Sequence, residues 1–288
     1  MKNNLPVENP KLALLSGNLS PLLREGLIVA FSGGVDSSFL LWKAERTLCE
    51  MRDRGELGKL LALTTVSASI PPWEVEEAAV FAKSLQVEHA VIESHEVEQE
   101  AYAQNDGTRC YYCKSELFRI SEEELKRRGY RHIAYGYNAS DRSDLRHGHK
   151  AALENNIHAP LNDVGLEKNE IRQCLSEIGL KLADKPASPC LASRVMTGVR
   201  VTPAKLFDIQ KMEEILRAAI IKTYRVRLHE EKNSDSKDTV SYFRIEVAPD
   251  EIPAVFQVRE KLLIEARRRG YRWVTLDLAG YQMGGANL

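Results

Sequence analysis

Residues 26–39 read GLIVAFSGGVDSSF. The apolar run at 28–31 predicts a short buried strand, and it stops at Ser32-Gly33-Gly34. A helical pattern starts at Val35 and runs to residue 50, with Phe39, Leu40, Trp42 and Leu48 among its apolar positions. A strand, a Gly-Gly turn and a helix start together turn backbone N–H groups outward. Gly33 and Gly34 let the chain turn tightly and let an anion approach with no Cβ in the way. The helix N-terminus adds favourable potential, and Ser32, Ser37 and Ser38 add hydroxyl donors. No Gly-Lys-Ser/Thr follows, so this is not a Walker loop. For a bare Ser-Gly-Gly, a serine-capped turn with no ligand is an equal alternative. The full SGGVDS after an apolar strand favours a phosphate.

Working outward, residues 60–66 form a second apolar run, bounded by Gly58 and the Ser67–Ser69 cluster. A helix opens at Pro71 and Pro72, with Val75, Ala78, Ala79, Ala82 and Leu85 in a stripe. Residues 89–92, 133–137 and 158–161 suggest further strands, and helical patterns cover 110–128, 151–155 and 167–178. Alternating strands and helices imply an α/β fold, a parallel sheet with helices on both faces. Ligands in such sheets sit at the carboxyl ends of the strands, where SGGVDSS lies. The pattern changes near residue 200: a helix at 203–219, strands at 223–228 and 242–247 joined by a charged loop at 230–238, a helix at 251–268 and a strand at 273–276. The expected division is therefore 1–200 for the nucleotide domain carrying the cysteines, and 201–288 for a small α+β domain that adds substrate contacts and an oligomer interface.

The formal net charge of −1 gives no electrostatic support for a nucleic-acid partner. Apolar runs are strand-sized, so no membrane association is expected. Residues 1–19 lack the pattern of a signal peptide, which makes the cytoplasm the expected compartment. Five cysteines, an odd number, argue against a disulfide framework and for thiol or metal chemistry. Cys110 and Cys113 stand at CxxC spacing at a helix start. Cys190, in PASPCLASR, precedes Ser193 and Arg194, and a nearby arginine and a helix start favour a reactive thiolate. Cys49 and Cys174 sit in helical, partly apolar contexts and read as small buried residues. Three thiolates with one open coordination position suit a [4Fe-4S] cluster; zinc with three sulfurs and one water is the alternative. His147 and His149, two apart, read as a solvated pair.

SGGVDSS resembles the PP-loop of the N-type ATP pyrophosphatases, which transfer AMP from ATP to an oxygen of the substrate. The resemblance implies that the loop holds pyrophosphate with Mg²⁺, that Asp36 lies near the metal, and that adenine sits by Ala30, Phe31, Val66 and Ser67. Together, SGGVDSS, RCYYCKSELF, GYNASD, DLRHG, KPASPCLASRVMTG and DLAGYQMGGAN resemble the LarE family from about residue 10 onward. Members of that family are ATP-dependent sulfur transferases of nickel-pincer cofactor biosynthesis. The resemblance implies a small-molecule nucleotide substrate, pyridinium-3,5-biscarboxylic acid mononucleotide, whose carboxylates are adenylated and converted to thiocarboxylates. Some members surrender the sulfur of the cysteine matching Cys190. Others hold a [4Fe-4S] cluster on three cysteines and use a sulfide donor, and the CxxC places this chain with them. It also implies Asn138 at the ATP site. Ser193 and Arg194 flank Cys190 and are candidates to bind a substrate phosphate or the adenylate; Arg225 and Arg227, two apart on one face of a strand, are candidates to hold an anionic substrate. Glu214 and Glu246 match acidic positions associated with a second metal, Arg146 is a candidate phosphate ligand, and members assemble as hexamers. Tyr137 departs from the small hydroxyl residue usual before Asn138. A tRNA thiolase is the second reading, and a nucleotide sensor without turnover the third.

Overall fold

The computed structural model describes residues 9–143, 147–186, 189–232, 239–282 and 285–286. They fall into two compact units. The first lies within Met1–Ser67, Pro72–Glu96 and Cys110–Ser188; the second lies within Ala68–Pro71, Val97–Arg109 and Pro189–Leu288. Cys110 and Cys113 thus belong to the first unit, and Cys190 to the second.

The first unit is the expected α/β layer structure. In chain order it contains α1 (Pro10–Glu25), β1 (Leu27–Ala30), α2 (Val35–Asp53), β2 (Leu60–Val66), α3 (Pro72–Ser84), β3 (Glu88–Glu93), α4 (Arg109–Arg128), β4 (His132–Tyr135), α5 (His147–Glu154) and α6 (Lys168–Glu177). The four strands are parallel in the order β3-β2-β1-β4. All of β1 is buried because it is central and covered on both faces. Its alternating residues divide between two cores. Leu27, Val29 and Phe31 join α1 and α2 on one face, while Ile28 and Ala30 join Phe118, Ile133 and Tyr135 on the other.

Helix α1 was not anticipated from sequence. Its Leu12, Leu15, Leu19 and Leu23 recur every three or four residues and are buried. Asn9 caps it by accepting from the Lys11 N–H at 3.0 Å, and Pro10 opens its first turn. The strand expected at 158–161 is a correction. Only a single bridge, Ala134 to His158, extends the sheet, and Pro160–Asp163 is a short helix. Pro160 has no N–H to continue the ladder and suits the first turn of a helix.

The second unit contains a short helix, Glu100–Ala103, then α7 (Pro203–Ala218), β5 (Tyr224–Lys232), β6 (Thr239–Val247), a short helix Ile252–Gln257, α8 (Arg259–Arg268) and β7 (Trp273–Leu276). Strands β5 and β6 are antiparallel, and β6 and β7 are parallel. Thr202 caps α7, whose Leu206, Ile209, Met212 and Leu216 are buried. Two expectations are corrected. The strands reach into the supposed loop at 230–238, of which 233–238 lie outside the described residues. The helix expected at 251–268 breaks at Val258 (φ −109°, ψ 7°). Among the described residues, no helix is long and apolar enough to cross a membrane.

Candidate functional site

The loop after β1 begins where the Phe31 N–H donates to Leu63 at 2.8 Å, the last rung toward β2. Gly33 has φ +70°, where a side chain is strained, and an added Cβ would lie 3.0 Å from the Ala78 methyl of α3. Gly34 is the N-cap of α2, and its carbonyl accepts from the Ser38 N–H at 2.9 Å. The Ser37 hydroxyl works inside the loop: it donates to the Gly34 carbonyl at 3.1 Å and lies 3.1 Å from the Ser32 hydroxyl. Ser32 is exposed. Ser38 is fully buried, and its hydroxyl has no partner among the described residues.

Asp36 occupies the first turn of α2. Its Oδ2 pairs with Lys168, the first residue of α6. Its Oδ1 is buried and has no hydrogen-bond partner among the described residues. A buried, unsatisfied carboxylate oxygen is costly, and a bound cation would satisfy it. The donor chemistry fits Mg²⁺, an oxygen-seeking ion that usually takes only one or two protein carboxylates beside phosphates and water. Lys185 lies behind the loop, with its Nζ 3.3 Å from the Gly33 carbonyl, 2.8 Å from Glu74 and 3.0 Å from Glu77. Burial alone would lower its pKa, but the two glutamates outweigh this and raise it.

Gly136, just past β4, touches the same loop. A Cβ there would lie 2.6 Å from the Ser37 backbone nitrogen. Gly136→Ala is expected to cost about 1–3 kcal/mol through overpacking, because backbone rather than a flexible side chain must yield. A urea titration checks the loss. Asn138 forms an Asx turn: its Nδ2 donates to Asp141 at 3.0 Å, and its Oδ1 accepts from the Ser140 N–H at 2.9 Å. Tyr137 packs on His149, with ring centroids 4.1 Å apart and planes within 8°. His149 also meets the Tyr135 hydroxyl at 2.6 Å. The tyrosine at this place therefore serves an aromatic stack, and His149 lies on a helix rather than in the expected loop. Arg146 and the His147 side chain lie outside the described residues.

At the expected adenine position, Ala30 and Phe31 are buried. The Phe31 carbonyl accepts from Thr64 at 2.6 Å, and Ser67 donates to Glu96 at 2.5 Å.

All five thiols are free. Cys110 and Cys113 stand three apart in the first turn of α4 and so share a face; Cys110 is exposed and Cys113 half-buried. Cys190 is half-buried and precedes the turn Leu191–Arg194. Free thiols are ligand chemistry for an iron–sulfur cluster or zinc. Among the described residues, no three His, Cys, Asp or Glu side chains are grouped as a metal site. Cys49 bonds Glu45 at 2.9 Å, and Cys174 is buried; desolvation leads the rise in the Cys174 pKa, while the bond to Glu45 leads that of Cys49.

Within the second unit, Arg194 is only 2% exposed and pairs with Glu213, which is 1% exposed, at 2.9 Å. Its Nη1 donates to the Pro189 carbonyl, to the Cys190 carbonyl at 3.1 Å and to the Ser193 hydroxyl at 3.2 Å. Arg194 therefore grips the cysteine's backbone. Arg109, the residue before Cys110, donates to the Ala192 carbonyl at 2.9 Å. Asn105 donates to the carbonyls of Met196 and Val199, each at 2.9 Å.

Arg227 pairs with buried Glu246 at 2.9 Å and donates to the Ser193 carbonyl at 3.0 Å. Arg225 stacks over Tyr281 at 5.0 Å, and burial lowers its pKa. The tail closes on this group: Gly285 lies against Glu246 and Arg227, and its carbonyl accepts from Arg244 at 2.8 Å. Glu214 instead pairs with Lys211 at 2.8 Å, so Glu214 and Glu246 have separate partners. Sequence reading missed Glu213, Arg109, Asn105, Lys168 and Lys185. Glu213 had a signal, since it falls in the apolar stripe of α7, four residues after Ile209 and three before Leu216.

No family model matches the chain. The uncharacterised protein slr1717 of Synechocystis is 34% identical over 262 residues, covering 90% of this chain and 91% of the relative. The chain belongs to this family. Two relatives of the slr1717 family member described here are more distant, each 26% identical. The uncharacterised protein MJ0830 of Methanocaldococcus jannaschii matches across 94% of this chain and 97% of its own length. The pyridinium-3,5-bisthiocarboxylic acid mononucleotide synthase of Lactiplantibacillus plantarum matches across 96% and 94%.

Proposed function

We propose that the protein is an ATP-dependent sulfur transferase of the LarE type, acting on pyridinium-3,5-biscarboxylic acid mononucleotide as a cytoplasmic homo-oligomer. The observation that carries this is the Asp36 carboxylate, with one oxygen held by Lys168 and the other buried and without a hydrogen-bond partner among the described residues, at a glycine loop after β1. The name of the Lactiplantibacillus relative supports the substrate class.

On this reading the loop N–H groups and the α2 N-terminus bind the pyrophosphate part of ATP. Asp36 would hold Mg²⁺, which would supply neutralisation of the charge growing on the leaving pyrophosphate. A substrate carboxylate oxygen forms a bond to the α-phosphorus, and the bond from that phosphorus to the bridging oxygen breaks. The acyl adenylate has a good leaving group, and a sulfur nucleophile adds to its carbonyl carbon. The carbon–oxygen bond then breaks, AMP departs with the former carboxylate oxygen, and a thiocarboxylate remains. A [4Fe-4S] cluster on Cys110, Cys113 and Cys190 would supply the sulfide. The grip of Arg194 on the Cys190 carbonyl, and of Arg109 on Ala192, supports a role in which the cysteine segment is held still.

The test is protein purified without oxygen, given ATP, Mg²⁺, sulfide and the biscarboxylate mononucleotide. Pyrophosphate, AMP and a thiocarboxylate product in excess over protein are expected. Iron and acid-labile sulfide should each approach about four per chain and be lost in Cys110→Ala. Product capped at one sulfur per chain, with dehydroalanine at position 190, would overturn the cluster and assign the sulfur to Cys190 itself. No pyrophosphate release with this substrate would overturn the assignment.

A further inference from the structure

We infer that Lys185 is a positioning residue for nucleotide binding: it holds the Gly33–Gly34 peptide in the one orientation that turns the Gly34 N–H toward the phosphates. This rests on ATP binding at the loop. A trans peptide carries its C=O and N–H on opposite sides. A donor fixed on the Gly33 oxygen therefore aims the Gly34 N–H the other way, and a cation on that oxygen polarises the N–H and makes it a stronger donor.

The peptide needs such a hold. With glycine on both sides, no Cβ opposes its rotation, and the flipped form would offer a carbonyl to an anion. Within the loop, the Gly34 N–H has only a long contact of 3.4 Å to the Ser32 hydroxyl. The Ser37 hydroxyl braces the next peptide, through the Gly34 carbonyl, and leaves this one untouched. Lys185 adds a charged donor to this peptide, itself long at 3.3 Å from the Gly33 oxygen but strengthened by its charge.

The lysine itself is anchored at both ends. Its carbonyl accepts from Arg172 of α6 at 2.9 Å, and its N–H donates to Leu182 at 3.1 Å. Its side chain is 15% exposed, and its ammonium sits between Glu74 and Glu77 of α3, the helix that the loop packs against at Ala78. An ammonium has three N–H donors, and three acceptors surround this one. None is left over for a phosphate oxygen, so Lys185 acts through the peptide and not on the ligand.

When only a fraction of molecules holds the competent loop, apparent affinity falls by that fraction. The experiment is calorimetric titration of the full chain with ATP and Mg²⁺ for the wild type, Lys185→Met and Glu74→Gln, with the melting temperature and the KM of each substrate. Lys185→Met should weaken ATP binding about tenfold and raise the KM for ATP, while the KM for the biscarboxylate mononucleotide holds. Glu74→Gln keeps the lysine but loosens its anchor, and should give a smaller loss in the same direction. Normal ATP affinity in both variants overturns the role of Lys185 alone. A wild type that binds no ATP overturns the nucleotide reading and this inference with it. Equal rises in both KM values, tracking a lower melting temperature, would show a merely structural lysine and also overturn it.

Discussion

Asp36→Asn is expected to slow pyrophosphate release by about a hundred- to a thousandfold, the usual scale for losing a preorganised charge at a phosphoryl site. The side chain keeps its shape, so the loss isolates charge. Folding should barely change. The ion pair with Lys168 is partly exposed, at 34% and 20%, and such pairs contribute little. The other oxygen is buried without a partner among the described residues, and neutralising it removes a desolvation cost. Stability unchanged or slightly raised, with activity collapsed, is the signature of a residue kept for function at the expense of the fold. Initial rates at saturating ATP, beside a urea titration, measure both. A variant that releases pyrophosphate at the wild-type rate would remove Asp36 from the chemistry.

What could be read from sequence follows the range of the signal. The loop was legible because its residues are contiguous: a strand, two glycines and a helix start within 26–39 impose one local geometry. The alternation that set the parallel sheet is equally local. The supports of the loop are not. Lys185 lies 152 residues from Gly33, Lys168 lies 132 from Asp36, and only the fold brings them together. Residues 158–161 read as a strand, but the stretch His-Ala-Pro-Leu is too short to separate a strand from a helix start, and the missing N–H of Pro160 decides for a short helix. Arg194 and Arg227 read as open cations for an anionic substrate. The structure shows both buried against glutamates, which spacing alone does not reveal.

That burial gives the second large effect. Arg194→Met should destabilise the second unit by about 3–5 kcal/mol, because it strips the buried Glu213 carboxylate of its ion-pair partner. Among the described residues Glu213 also accepts from the Val226 N–H at 3.1 Å and is attracted by the buried Arg225, neither of which replaces the paired hydrogen bonds of Arg194. The double variant Arg194→Met, Glu213→Leu removes both charges together, and buried pairs replaced by apolar groups often cost little. Its urea midpoint should return most of the way to wild type. Sulfur transfer should not return with it, since the carbonyls of Pro189 and Cys190 still lack the donor that held them. The two readouts therefore separate folding from positioning. If activity recovers along with stability, the arginine serves the fold alone. If stability recovers and activity does not, the buried pair exists to fix the backbone of Cys190, and a charge expected to meet the substrate instead sets where the sulfur stands.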